Sequence, residues 1–266
     1  MYNKNNFFRL YLSKNKEYLR KIIFILLILI LTKATFAQFD KVDNLPKYDF
    51  QIIHFGMSLA VNTMDFTIHN SSTFFMLDSV YSVENIPRFG FNINIVSNLN
   101  IHKYFSIRFL PGLNFGERDM DYVVFSHQDS TFDRTLMKIE STFLDFPLLI
   151  KYKSKRLNNF RPYLIGGGSI KFDLAAQKRI DVAEGPMIRL RRTNYNYEVG
   201  FGTDFFLQYF KFALELKYVV GINNVLVPDY TQYTKAIERM NSKMIVLSFL
   251  FEGSDIQSLT FWKKNK

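Results

Sequence analysis

Hydrophobic and polar positions alternate with period two over much of the chain, most cleanly from Tyr195 to Ile222. There Phe210, Phe212, Leu214, Leu216, Tyr218 and Val220 share one face, while Lys211, Ala213, Glu215, Lys217 and Gly221 share the other. That spacing is a strand's, not a helix's. The preceding residues Tyr195, Tyr197, Val199, Phe201, Thr203, Phe205 and Leu207 alternate in the same way with Asn196, Glu198, Gly200, Gly202 and Asp204. Each half runs for ~11 to 13 residues, against ~5 to 6 for an ordinary strand and ~9 to 11 for a tilted strand that crosses a bilayer. The pattern predicts a transmembrane β-hairpin with its turn at Leu207-Gln208.

Six further stretches carry the same alternation. Strand one is Ile53 to Asn62, strand two Phe89 to Val96, strand three Phe105 to Gly116, strand four Ser141 to Tyr152, strand five Arg161 to Leu174, and strand eight Met244 to Glu252. The connections Thr63 to Arg88, Glu117 to Met137, Ala175 to Thr193 and Asn223 to Asn241 are long, whereas Asn98 to Lys103 and Lys153 to Phe160 are short. An even number of strands joined by long and short connections in turn describes an all-β, eight-stranded antiparallel up-and-down transmembrane barrel with both ends on one side. In an outer membrane the short turns face the periplasm. Tyr48, Tyr104, Tyr152, Tyr163 and Tyr209 lie near those turns or the chain's entry and are expected in an interfacial girdle.

A soluble barrel would alternate too. Residue size separates the two readings: Gly56, Gly90, Gly112, Gly116, Gly167, Gly200, Gly202 and Gly221 all fall on the polar face, and the bulky aromatics fall on the apolar one. The interior of an eight-stranded barrel is only wide enough for side chains to fill it, so small residues belong inside and phenylalanines outside, in lipid.

Composition adjusts this picture at the amino terminus. The net charge of +10 comes from 34 basic and 24 acidic residues, and the first 37 residues hold seven of the former and one of the latter. The remainder carries only +4, which removes the compositional case for nucleic-acid binding. Basic residues from Lys4 to Lys21, the apolar run Ile22 to Leu31 and the small-residue site Thr35-Phe36-Ala37 read as a signal peptide over 1–37. A membrane anchor is the alternative, but its apolar run falls short of the ~20 residues a spanning helix needs. A periplasmic lead (38–49), the barrel (50–252) and a periplasmic tail (253–266) then follow. Cysteine is absent, so thiolate metal sites and disulfides are excluded.

The polar face places Arg108, Lys151, Arg161, Lys171, Lys211 and Lys217 in the lumen with Asp145, Asp173, Glu198, Asp204, Glu215 and Glu252. Six charges of each sign predict structural ion pairs in place of a selective pore, because an isolated charge in so narrow a space is costly. For the hairpin, paired residue numbers summing to 415 set Asp204 opposite Lys211 and Glu198 opposite Lys217, whereas 417 staggers acids and bases. The first register is expected.

Catalytic signals are thin, and neither a cofactor nor a small-molecule substrate is expected. Acids surrounded by matched bases suit pairing better than acid-base work. Gly166-Gly167-Gly168 lacks the Lys-Ser/Thr of a phosphate loop. His54, His69, His102 and His127 have no metal spacing, although His69 and His127 could meet Asp65 or Asp129 at the outer rim of a membrane-embedded hydrolase. The short turn KYKSKRLNNFR brings together Lys151, Lys153, Lys155, Arg156 and Arg161, as a solvated turn or as a docking site for an acidic partner. On the opposite side Arg189, Arg191 and Arg192 suit the phosphates of lipopolysaccharide.

Several blocks carry a resemblance: RFLPGLNFGER (Arg108 to Arg118), FPLLIKYKSKRLNNFRPYLIGGG (Phe146 to Gly168), DLA (Asp173 to Ala175), YEVGFGTDFFLQYFKFALELKYVVGINNV (Tyr197 to Val225), SKM (Ser242 to Met244) and SFLFE (Ser248 to Glu252). Together they resemble the PorT family of outer-membrane barrels from the type IX secretion system. The resemblance implies an integral outer-membrane protein that assists export of proteins bearing a type IX carboxy-terminal signal, often with gliding motility. Its expected partners are other envelope proteins of that system, besides outer-membrane lipid and lipopolysaccharide. It carries no catalytic residues. A stand-alone barrel, either envelope-stabilising or a hydrolase or acyltransferase, is the alternative.

Overall fold

The structure is a computed structural model that describes residues 43–72, 74, 80–126, 131–175, 188–229 and 231–253. The expected signal peptide, its cleavage site at Ala37 and the tail from residue 254 lie outside these residues. After a single 3-10 turn (Tyr48–Phe50) come β1 (Ile53–Asn70), β2 (Val80–Asn100), β3 (Phe105–Phe109), β4 (Gly112–Ser126), β5 (Thr131–Lys153), β6 (Phe160–Asp173), β7 (Thr193–Phe206) and β8 (Phe210–Gly221). A four-residue helix α1 (Gln232–Lys235) and the closing strand β9 (Ile237–Gly253) complete the chain. Each strand pairs antiparallel with its neighbours, and β1 pairs with both β2 and β9, so the sheet closes into a ring without an edge. Among the described residues no helix is long and apolar enough to span a bilayer.

The ring has eight positions but nine strands, which corrects the expected count. β3 and β4 share one position: both pair with β2 on one side and β5 on the other, and the register runs through unchanged from Phe109↔Leu148 to Gly112↔Asp145. Leu110 and Pro111 interrupt it because Pro111 has no N–H to give to a ladder. Its carbonyl still accepts from Ile95 N at 2.9 Å, and Leu110 N donates to Pro147 O at 3.2 Å, so the wall stays closed across the break.

The strands are also longer than expected. β2 and β5 reach 21 and 23 residues, well past the ~9 to 11 that cross a bilayer, and together with β1 and β4 they take up most of two connections read as long, Thr63 to Arg88 and Glu117 to Met137. Sequence alternation stops short of these ends because its polarity inverts. Along β1 the outward residues Ile53, Phe55, Met57, Leu59 and Val61 are apolar, yet further up the inward Met64 and Phe66 are buried while outward Asp65 is polar. β4 switches likewise, from outward Leu113 and Phe115 to inward Met120, Tyr122 and Val124. Lipid bathes the lower part and water the upper, so the greasy face changes sides. The inward apolar residues of the upper part pack with Ile188, Val225, Leu226, Ala236 and Ile237 into a core that fills the barrel above the membrane. β6, β7 and β8 are only 14, 14 and 12 residues long, so the wall is tall on one side and low on the other.

Two of the expected girdle tyrosines are not on the outside. Tyr48 and Tyr163 are buried within the barrel, whereas Tyr152 and Tyr209 are exposed. Tyr163 sits at an inward position of β6, and a Cβ on Gly202 would lie 2.6 Å from its ring and hydroxyl. Gly202 therefore makes the room Tyr163 occupies. Gly202→Val is expected to prevent the compact barrel from forming, read as loss of the fast-migrating unheated band on a gel that the wild-type barrel gives. A variant that keeps this heat-dependent shift would show that Tyr163 can move aside without cost.

Candidate functional site

The charged interior is built from inward positions of β3 to β9. Arg108 is completely buried and forks between two acids, Nη1 donating to Glu215 at 2.8 Å and Nη2 to Glu252 at 3.1 Å. Lys211 donates to the other oxygen of Glu252 at 2.7 Å and lies 3.8 Å from Asp204. Lys151 donates to both oxygens of Asp204 at 2.7 and 2.9 Å, and Arg161 approaches the same carboxylate at 3.6 Å. The Tyr163 hydroxyl donates to Glu215 at 2.7 Å, while its ring carries Lys151 at 3.5 Å and Arg108 at 5.5 Å from the centroid. Four cations and three carboxylates from six strands thus form one lattice around an aromatic ring.

A second, smaller set stands above it. Lys217 donates to Glu198 at 2.9 Å, and Lys171 lies 3.3 Å from Asp145, which also accepts from Asn114 at 2.7 Å. The space between these sets is a cavity of about 10 Å³ lined by Asp145, Lys171, Glu198, Glu215 and Lys217 among others. That is about the lower limit for one water molecule. Desolvating so many charges is costly by several kcal/mol each, and only mutual pairing with good geometry offsets it.

The hairpin register is not the expected one. Gly200 pairs with Lys217, Gly202 with Glu215, Asp204 with Ala213 and Phe206 with Lys211, so partner numbers sum to 417 and the turn falls at Gln208-Tyr209. Direct opposition proves unnecessary because lysine is long enough to pair diagonally or with the other neighbour. Lys217 leans across Gly200 to reach Glu198, and Lys211 takes Glu252, which stands opposite it on β9. Glycine beside lysine leaves the stem room to lie over the strand: a Cβ on Gly200 would sit 2.9 Å from Lys217 Cγ.

Of the residues expected in the lumen, Arg108, Asp145, Lys151, Arg161, Lys171, Glu198, Asp204, Lys211, Glu215, Lys217 and Glu252 stand in these two sets. Asp173 stands apart, accepting from Ser141 and from the backbone N–H of Ala175, both at 3.0 Å. Sequence reading missed Arg118, which lies inside on β4. It donates to Ser242 at 3.4 Å and to Ser141, and packs its guanidinium 4.1 Å from the centroid of Phe66. Among the described residues no carboxylate lies within ion-pair distance of it. Its inward parity continues that of Gly112, Asn114 and Gly116, a signal hidden by the polarity inversion.

The basic turn does not present five cations to solvent. Lys151, Lys153 and Arg161 are buried, and Lys153 donates to Asn100 at 2.8 Å. Arg156 is half-buried and binds the backbone carbonyl of Asn44 and the side chain of Asn159. Lys155 alone of the five is exposed. Strand parity turns Lys151, Lys153 and Arg161 inward, and the lead segment, which folds over this mouth of the barrel as a cover, occupies Arg156. Tyr48 inserts with its hydroxyl donating to Glu252 at 2.7 Å, its ring stacked 3.8 Å from His54 and edge-on to Phe206 at 5.7 Å, and Lys211 at 4.8 Å from its centroid. Asp49 accepts from Arg161 at 2.8 Å, and Asn44 bonds Asn159 and the carbonyl of Phe206 at 2.8 and 3.0 Å.

Catalytic geometry is not assembled among the described residues. His69 is exposed, and Asp65 is held by Asn85 and, at 2.9 Å, by Lys243; His127 and Asp129 lie outside the described residues. No group of His, Asp and Glu among them could hold a metal ion. Gly166 to Gly168 lie within β6, paired with Leu148 to Ile150.

A closed antiparallel ring with an apolar outer band, a charged and filled interior, and strands of bilayer-crossing length or more defines an outer-membrane β-barrel. The family model for the outer membrane protein beta-barrel domain matches residues 36–227, and the chain belongs to that family. Its place is the outer membrane. Among solved structures it is similar to Neisserial surface protein A, NspA (12% identity, TM-score 0.39, covering 74% of this chain and 96% of that one). Others are OprG of Pseudomonas aeruginosa (12%, 0.37, 76% and 92%) and Ail of Yersinia pestis (9%, 0.36, 76% and 99%). No curated protein matches the sequence.

Two measurements check the interior. Glu198→Gln and Lys217→Met are each expected to cost about 3–5 kcal/mol in equilibrium urea unfolding in lipid vesicles, and the double variant much less than their sum, because each single change strands a buried charge. Additive costs would mean the pair is not coupled. For the cover, Tyr48→Phe is expected to lose about 1.5–3 kcal/mol of lead docking through the bond to Glu252, and Tyr48→Ala to expose the lead to added protease while the barrel keeps its heat-dependent gel shift. An equally protected lead in Tyr48→Ala would show that Asn44 and Asp49 hold it unaided.

Proposed function

We propose that this protein is a non-enzymatic, non-conducting outer-membrane barrel that acts through partners as an accessory component of type IX protein secretion. The observation that carries the first part is the filled, ion-paired interior: among the described residues, two ion-pair sets occupy the lumen around a cavity of about 10 Å³, and the lead covers one mouth, which supports a lumen that does not conduct. Chemistry or recognition must then take place on the outer surfaces. The second part rests on the blocks that resemble the PorT family, which include the turn from Lys151 to Arg161 and the hairpin from Tyr197 to Val225.

In this reading the short turns, the lead and the mature termini face the periplasm, and the tall wall faces outward. Partners are secretion-system envelope proteins; nucleic acid and small-molecule substrates have no role. Because Lys151, Lys153 and Arg161 are committed inside, a periplasmic partner meets Lys155 and the exposed Lys47 and Lys103 on the same side.

Deleting the gene in its host is expected to strip the culture medium of proteins with a type IX carboxy-terminal signal and to trap them in the periplasm, with the wild-type gene restoring export. The purified barrel should give no conductance steps in a planar bilayer. Normal cargo export in the deletion strain would defeat the secretion role and favour a stand-alone, envelope-stabilising barrel. Stable channels would defeat the sealed interior.

A further inference from the structure

Where the wall is low, the segment before β7 runs over the rim as Arg189-Leu190-Arg191-Arg192. Leu190 turns inward and bridges to Leu226, and Arg191 N donates to Val225 O at 2.8 Å, which fixes the segment against the loop after β8. An extended backbone pinned in this way sends Arg189 and Arg191 to the side opposite Leu190. They open with Arg192 onto a cleft of about 710 Å³ whose wall also includes Leu174, Tyr195, Asn223 and Val227. Arg239 reaches the carbonyl of Ile222, next to Asn223, at 2.7 Å. Directly below, the apolar band resumes with Leu174, Tyr195 and Ile222, each more than half exposed.

The charge here is not balanced. Among the described residues Asp229 is the one acid within ion-pair distance of Arg189, at 3.9 Å; burial works to raise its pKa, but hydrogen bonds from Thr234 and Thr231 outweigh it and hold the carboxyl below its usual range. Asp173, also in the cleft wall, is buried and spends its two oxygens on Ser141 and Ala175. Among the described residues no carboxylate lies within ion-pair distance of Arg191 or Arg192, and both are exposed. Elsewhere above the apolar band, three outward acids each have a basic partner: Asp65 with Lys243, Asp119 with Arg88, Asp121 with Arg134. Unmatched guanidinium groups poised over lipid-facing tyrosine and leucine make an amphipathic site. Its upper part wants a phosphate, which arginine binds in bidentate fashion, and its lower part wants acyl chain.

We propose that this rim is a binding site for the phosphorylated glycolipid head of lipopolysaccharide, with Arg191 and Arg192 as phosphate ligands and Leu174, Tyr195 and Ile222 against the acyl chains. The leaflet assignment rests on the orientation in the preceding section, with the long connections outside.

The test uses the purified full-length barrel in detergent micelles with four probes: lipopolysaccharide, the same lipopolysaccharide after enzymatic removal of its phosphates, phosphatidylglycerol and inorganic phosphate. Lipopolysaccharide is expected to bind the wild type at least about tenfold more tightly than the other three probes. The double variant Arg191→Ala/Arg192→Ala should lose about tenfold or more of that affinity, while Lys138→Ala, on β5 and outside the cleft lining, should not. The heat-dependent gel shift confirms folding, and Arg191→Lys/Arg192→Lys, which keeps charge without the fork, serves if the alanine variant does not assemble; it should bind at an intermediate level. Equal binding by variant and wild type, or by phosphorylated and dephosphorylated glycolipid, overturns the site. Equal binding of phosphatidylglycerol or phosphate overturns the assignment to lipopolysaccharide. Orientation is read separately by labelling Asn223→Cys on intact cells with an impermeant maleimide, and labelling is expected. Labelling only after the outer membrane is permeabilised would overturn the outer-leaflet assignment even where binding in micelles persists.

Discussion

A closed eight-position ring in a membrane leaves every inward side chain with nowhere to go but the lumen, and the lumen is too narrow to stay wet. The rest of the structure follows from that confinement. Most charges placed inside are paired inside, which explains why Arg108 forks between two acids and why Asp204 gathers three cations, while Arg118 is held by the hydroxyls of Ser141 and Ser242 and the ring of Phe66. Space becomes the second currency of the interior, so that glycine on one strand is a condition for lysine or tyrosine on the next, as at Gly200 with Lys217 and Gly202 with Tyr163. Arg108 forked between Glu215 and Glu252 ties β3 to β8 and β9 across the lumen, a constraint of a kind that backbone ladders between adjacent strands do not supply.

Much of this architecture is legible in the sequence, and what is not has definable causes. The inward and outward parity of the hairpin can be read directly from Tyr195 to Ile222, because lipid on one side and a packed lumen on the other both select strongly. Parity, however, survives a shift of two residues, so the choice between sums of 415 and 417 depended on charge matching alone. That criterion failed because it treated each acid and base as reaching only its opposite neighbour, whereas Lys211 finds Glu252 on the other side. The upper strands were hidden for another reason. Period-two alternation continues through Met64 and Phe66 and through Met120 and Tyr122, but its sign reverses where the solvent changes from lipid to water, and a reversal looks like an end.

The surfaces were legible unevenly. The three arginines of the low rim are visible as a cluster in the sequence, and the structure adds what the sequence lacked: which neighbours neutralise them and what lies beneath. The basic turn is the reverse case. Five cations in eleven residues look like one exposed patch, yet strand parity sends Lys151, Lys153 and Arg161 inward, and the folded lead occupies Arg156. A cluster along the chain becomes an exposed cluster in space only where the backbone does not turn its members into the lumen.

The cover over the mouth carries a consequence for biogenesis. Tyr48 rests on Glu252 of the last strand, on Lys211 of β8 and on Phe206 of β7, while Asp49 meets Arg161 of β6. These residues are gathered by the neighbouring strands β6 to β9, and the lead, which runs directly into β1, is carried to them where β9 pairs with β1. The lead therefore has no complete resting place on a half-made barrel and stays accessible until the ring is finished. Its docking marks completion, and an unfinished barrel is distinguished by a loose amino terminus.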